Sequence, residues 1–211
     1  MLKRQALLLV PLVLLVFLSP LFAQTRLDIR EPITYFIDDG KAVTGYRNSD
    51  RELAVMAIEA WSRESQGKLR FLESKSRDAA LIRFHWIDPN EGLFGETQRI
   101  AVKGKVGAIV NVMPDVSVQG ELASPASRDV LLRDTVVYLT CVHELGHAIG
   151  LSHTRQFQDI MYFFGFGGNI LDYFMRYRTR LQSRTDIPRY SGLSASDVQV
   201  LRALYSSETQ H

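Results

Sequence analysis

The sequence predicts an α+β domain built on a mixed sheet. Two observations carry that prediction. Segments with two-residue alternation cluster in the first half of the chain, as in 80–87, where Ile82, Phe84 and Trp86 alternate with Leu81, Arg83 and His85. Longer helical runs begin near Ser49, Asp129 and Ser194. The resulting order is strand, helix, several strands, long helix, irregular segment, helix.

The elements follow in sequence. Residues 33–39 read as a first strand. Ser49 and Glu52 form an S-x-x-E capping box before a helix whose Leu53, Met56, Ala57, Ala60 and Trp61 share one face, with Gly67 as its stop. Leu69 and Phe71 alternate with Lys68 and Arg70 in a short strand, and 80–87 forms the next. Pro89, Asn90 and Gly92 mark a loop. Residues 97–103 read as a strand with polar edges, and Gly104 and Gly107 turn the chain into 108–112. Residues 114–128, with two Pro and several Ser, read as loop. From Asp129 to Ile149 the chain lacks Pro and has a single Gly, Gly146, which predicts a long helix. A Gly-rich stretch at 165–168 and an Arg-rich segment follow. Ser194 and Asp197 then form a second capping box, with Leu193 able to staple onto Val198, for a last helix whose apolar face carries Leu201, Leu204 and Tyr205.

A chain of 211 residues with 46% apolar and 23% charged content fits one domain with a proper core. The first 23 residues differ in kind. Lys3 and Arg4 precede an apolar run from Ala6 to Leu18, and small Ala23 follows Phe22, the order of a secretory signal peptide. The run is shorter than the roughly 20 residues of a membrane span. Cleavage after Ala23 is expected, leaving 24–211 as one secreted domain, extracellular or periplasmic, with no stable membrane span; an uncleaved N-terminal anchor is the alternative. Loss of the leader takes the formal charge from +2 to 0, which gives no reason to expect a nucleic-acid partner. A lone cysteine, Cys141, forms no internal disulfide and reads as a small buried apolar residue.

The informative segment is 143–153, HELGHAIGLSH. Positions four apart on a helix share a face, so His143 and His147 can reach one metal ion. Glu144 faces the same cleft without having to ligate. Gly150 lets the helix end in a positive-φ residue and the chain turn sharply, bringing His153 round as a third nitrogen ligand. Three protein ligands leave the fourth position of zinc open to water, the mark of a catalytic site.

HExxHxxGxxH is the zinc signature of the metzincin peptidases, and the chain resembles that group. Their second mark is a methionine in a tight turn beneath the metal, supplied here by Met161 in DIMY, eight residues after His153. That spacing, Tyr162 directly after it, and the ending LSASDVQVLRALY resemble the matrixin branch. The resemblance implies a mixed twisted sheet with an antiparallel edge strand, a long zinc-binding helix, a Met-turn and a C-terminal helix. It also implies that Tyr162, Phe163 and Phe164 wall the specificity pocket. Thr154 stands where matrixins usually have Ser, and Ser196 where the last helix often has the first of two acids, which puts the ion pair to a processed N-terminus in doubt. Cysteine-based latency is not expected. With His85 and His211 the remaining histidines, one catalytic zinc is expected; calcium is compatible with the resemblance but fixed by no motif. The segment 165–190 is not matrixin-like.

The implied activity is a zinc endopeptidase, expected to be a monomer, acting on a protein or peptide laid along strand 97–103. Glu144 is the general base. Two other readings stand beside it. One is a zinc-containing module that captures peptides without cleaving them, against which intact Glu144 argues. The other is a metzincin branch that adds a tyrosine ligand two residues after the methionine, a position held here by Phe163. His85 reads as a surface strand residue, and Arg176, Arg178, Arg180, Arg184 and Arg189 as a solvated face.

Overall fold

The computed structural model describes residues 26–89 and 94–206. The leader at 1–23, the Asn90 and Gly92 loop positions and His211 lie outside the described residues. Five strands form one sheet in the order β2-β1-β3-β5-β4: β1 is Ile33–Ile37, β2 Phe71–Glu73, β3 Ile82–Trp86, β4 Gly95–Val102 and β5 Lys105–Val112. The β2–β1, β1–β3 and β3–β5 pairs are parallel, and β4 runs antiparallel along the edge, as expected. Alternation in β3 buries Ile82, Phe84 and Trp86 and exposes His85. The second strand begins two residues later than the alternation suggested, and Leu69 is a buried residue of the loop before it.

The β4–β5 connection places Lys103 and Gly104 at φ 49° and 76°, a two-residue turn with both central residues left-handed. Such a turn matches the twist of the strands it joins. Gly107 is therefore not part of the turn but lies within β5. A Cβ there would sit 2.4 Å from the Leu81 carbonyl oxygen, so its small size serves the close approach of β5 to the chain entering β3.

Helix α1 (Asp50–Glu64) packs Leu53, Ala57, Ala60 and Trp61 into the core. The anticipated Ser49–Glu52 box does not form: Ser49 has helical dihedrals and its side chain caps nothing. The reason lies 83 residues away. Asp50 is buried against Arg133, accepting from its Nη2 at 2.7 Å, and Arg133 also donates to the carbonyls of Gly45 and Pro114 at 2.9 Å. A buried charge requires this degree of pairing, and it fixes the entry to α1. Residues 114–128 are more ordered than a loop. They form two 3-10 turns and helix α2 (Ala123–Arg128), which buries Leu122 and Ala126 at its start and middle. Pro125 falls in the first turn of α2, where its missing N–H costs nothing.

Helix α3 (Val130–Ala148) is capped by the Asp129 carboxylate, which accepts from Leu132 N at 3.0 Å. It is buried on nearly every side, between the sheet, α1 and the helix at 170–178. Helix α4 (Ile170–Arg178) lies within the unassigned segment, capped by Asn169, and buries Tyr173, Phe174 and Tyr177. The arginines of this segment are not simply a solvated face. Arg176 donates to Phe157 O at 2.6 Å, Arg178 to Asp129 at 2.8 Å, and Arg184 to Asp134 and Ser49 O. Helix α5 (Ala195–Leu204) has the predicted Ser194–Asp197 box. Cys141 is fully buried, as expected. Among the described residues no helix is long and apolar enough to cross a membrane.

Candidate metal centre

The C-terminal turns of α3 carry His143, Glu144 and His147. Gly150, at φ 107°, closes the helix: its N–H donates to His147 O at 3.0 Å, while Leu151 N donates to Gly146 O at 2.9 Å. This pair of bonds is a Schellman motif. The chain then doubles back, and ligand atoms of His143, His147 and His153 all come within 4.8 Å of one another. The Nε2 atoms of His147 and His153 are 3.0 Å apart.

The second nitrogens are already engaged. His143 Nδ1 lies 2.6 Å from Ile160 O and His147 Nδ1 2.9 Å from Leu151 O. Donation of Nδ1–H to a carbonyl leaves each Nε2 as a bare lone pair, the form a metal needs. Burial, with neighbouring imidazoles adding to it, pushes His143 down to about 3; burial likewise takes His147 to about 4 and lowers His153. The three rings are therefore neutral near pH 7 without a metal to displace their protons. Two bonds about 2.0–2.1 Å long at a tetrahedral angle span about 3.3 Å, close to the His147–His153 separation. Three neutral imidazole nitrogens, all within 4.8 Å of one another, are a donor set that can hold a metal ion and suits zinc.

Glu144 is buried beside this cluster, and its Oε2 accepts from the Thr97 hydroxyl at 2.8 Å. Burial raises its carboxyl to about 7, against the lowering effect of Thr97 and with a smaller raising effect from Glu96.

Met161 is fully buried and packs against α3 at Gly146, between His143 and His147 in sequence. A Cβ on Gly146 would fall 2.4 Å from its sulfur and 3.0 Å from Trp61 Cζ2, so the one glycine of α3 is what lets the methionine and tryptophan close on the helix. The turn is tied on both sides. Thr154 N donates to Met161 O at 2.8 Å, and the Asp197 carboxylate accepts from Ile160 N at 2.8 Å and Met161 N at 3.4 Å.

A cavity of about 550 Å³ opens beside the histidines and Glu144. Tyr162, Phe163 and Phe164 all line it. Tyr162 is buried with its hydroxyl on Gly167 O; Phe163, 45% exposed, stacks on His153 at 4.8 Å; Phe164 packs edge-on against Tyr173 at 5.0 Å. Sequence reasoning missed other parts of the wall, among them Phe94 and Gly95 at the start of the edge strand, Leu139 and Thr140 from α3, and Tyr173 and Phe174 from α4. The signal for α4 was Asn169 followed three residues on by Asp172, a cap before an apolar face.

A mixed sheet with an antiparallel edge, a buried helix bearing two imidazoles, a third imidazole brought beside them after a glycine turn, and a buried methionine packed against that helix fit a catalytic domain of the metzincin type. The family model for matrixins, the M10 peptidases, matches residues 28–165, more than half of the chain, and the chain belongs to that family of metalloproteases. A search of curated proteins returned no match.

Proposed function

We propose that residues 24–211 form an exported zinc-dependent endopeptidase, the preceding leader being removed at Ala23. The observation that carries this reading is the convergence of three neutral imidazoles beside one buried carboxylate, at the mouth of an apolar cavity.

His143, His147 and His153 would hold the zinc. When bound, the ion supplies Lewis acidity and lowers the pKa of water from about 15.7 toward 7. The chain does the remaining work. An extended substrate adds to the free edge of β4 by backbone hydrogen bonds. The side chain that follows the scissile bond enters the cavity walled by Tyr162, Phe163 and Phe164. Glu144 removes a proton from the attacking water as its oxygen bonds to the carbonyl carbon. Glu144 then passes that proton to the amide nitrogen as the C–N bond breaks, releasing an amine and a carboxylic acid, whose remaining proton is then lost to the amine or to solvent. No covalent enzyme intermediate is needed.

Purified protein should contain one zinc per chain by elemental analysis and cleave a peptide library. Glu144→Ala should keep its zinc and fold and lose at least about a hundredfold in kcat. Near-normal hydrolysis by that variant would remove Glu144 from the role. Zinc stoichiometry unchanged in His147→Ala would remove the ligand assignment.

A further inference from the structure

Side chains of alternate residues on β4 point to one face of the strand, and on this strand that face meets α3. Gly95, Thr97 and Arg99 occupy successive positions of that row, and each touches the end of the helix that carries the site. A Cβ on Gly95 would lie 2.6 Å from Glu144 Cγ and 2.9 Å from its Oε1. The Thr97 hydroxyl stands 2.8 Å from two oxygens of one residue, Oε2 and the main-chain O of Glu144. Arg99 donates to His147 O and Ala148 O, both at 2.6 Å. Among the described residues, Thr97 is the side chain that donates to the Glu144 carboxylate.

We propose that Thr97 is a positioning residue for Glu144: its hydroxyl holds Oε2, aims Oε1 at the reacting water, and couples the carboxylate to the strand on which substrate is laid. This rests on the assignment of Glu144 as the proton carrier. A glutamate side chain has three rotatable bonds, and a carboxylate with one oxygen held by a hydroxyl loses most of that freedom. The hydroxyl has a single hydrogen and two acceptors on Glu144, so it can turn from one to the other without the strand or helix moving. Gly95 completes the arrangement by leaving room for the carboxylate against the strand. Because the contact comes from β4, any strain or shift of the edge strand reaches the carboxylate through Thr97.

The test uses the full exported chain with zinc bound. Thr97→Val keeps the branched shape and removes the hydroxyl; Thr97→Ser keeps the hydroxyl; Thr97→Ala supplies the same deletion if valine does not fold. The expected result for T97V is wild-type zinc content, KM within about twofold, and kcat lowered at least about tenfold, with T97S within about threefold of wild type. Crystal structures of wild type and T97V should show the Glu144 carboxylate turned away from β4 in the variant. Wild-type kcat in T97V would overturn the proposal, and so would equal impairment in T97S, since packing of the methyl group would then be the cause. If the wild-type chain cleaves no peptide at all, the endopeptidase reading falls. The crystallographic comparison then decides Thr97 by itself: a displaced carboxylate supports the positioning role and an unmoved one overturns it.

Discussion

Replacing Gly146 by alanine would set two rules against each other. An interior helical glycine costs about 1 kcal/mol relative to alanine, so propensity alone makes G146A stabilising. The surroundings say otherwise. The new methyl carbon would lie 2.4 Å from Met161 Sδ and 3.0 Å from Trp61 Cζ2, well inside contact distance. Neither neighbour retreats easily. Trp61 Nε1 donates to Val142 O at 2.9 Å, and the backbone of Met161 is held by Thr154 and Asp197. Overpacking of this kind costs typically 1–3 kcal/mol, and with Trp61 tethered and the Met161 side chain fully buried we take about 3. The net loss is then about 2 kcal/mol. In a domain of this size that lowers Tm by roughly 4–8 °C. Thermal unfolding of the zinc-loaded protein measures it. The same substitution in a Met161→Ala background should be neutral or stabilising, because the methyl group then fills the space that the sulfur vacates. A G146A protein that melts at or above the wild-type temperature would refute the reasoning.

Three other outcomes are expected. Cleavage-site profiling should show Leu, Met, Phe or Tyr after the scissile bond, and Phe174→Ala should shift preference toward larger side chains by deepening the cavity; a dominant Asp or Glu there would reject the aromatic wall. Arg133→Met should destabilise the fold by about 3–5 kcal/mol in chemical denaturation, because it strands the buried Asp50 carboxylate. Burial raises the Asp129 carboxyl, but the Leu132 amide and Arg178 outweigh it and hold the group below its usual value. Its charge therefore stabilises the fold above about pH 4, and that contribution is lost as pH falls through the lowered folded value. Asp129→Asn keeps the cap and removes the charge, so the stability gap from wild type should be full at neutral pH and close in acid; a gap independent of pH would contradict this.

The metal cluster was legible because its geometry is local. Helical periodicity aligns His143 with His147, and a single glycine conformation returns the chain to His153. The Ser194 cap was legible for the same reason, whereas the antiparallel edge came from the family resemblance. What escaped depends on partners distant in sequence. The Ser49 box satisfies every local rule, yet Asp50 takes a different arrangement because Arg133 waits in the core. The arginines of 176–184 show their charge in the sequence but not the carbonyls and carboxylates that receive them. Helix α2 is too short for its periodicity to emerge, and Pro125 disguises it. Thr97 looked like any polar residue of an edge strand, since nothing along the chain announces that Glu144 stands opposite.

Asp197 has a consequence for the order in which the protein is made. Synthesis runs from the N-terminus, so all three histidines and the methionine turn leave the ribosome before the carboxylate that receives the Ile160 and Met161 amides. Ile160 is also the residue whose carbonyl orients His143. A nascent chain that has reached residue 190 thus owns all three histidines while the turn at Ile160 and Met161 still lacks its latch. The turn acquires this latch only when α5 docks, about forty residues of chain after the last of the three histidines has been made.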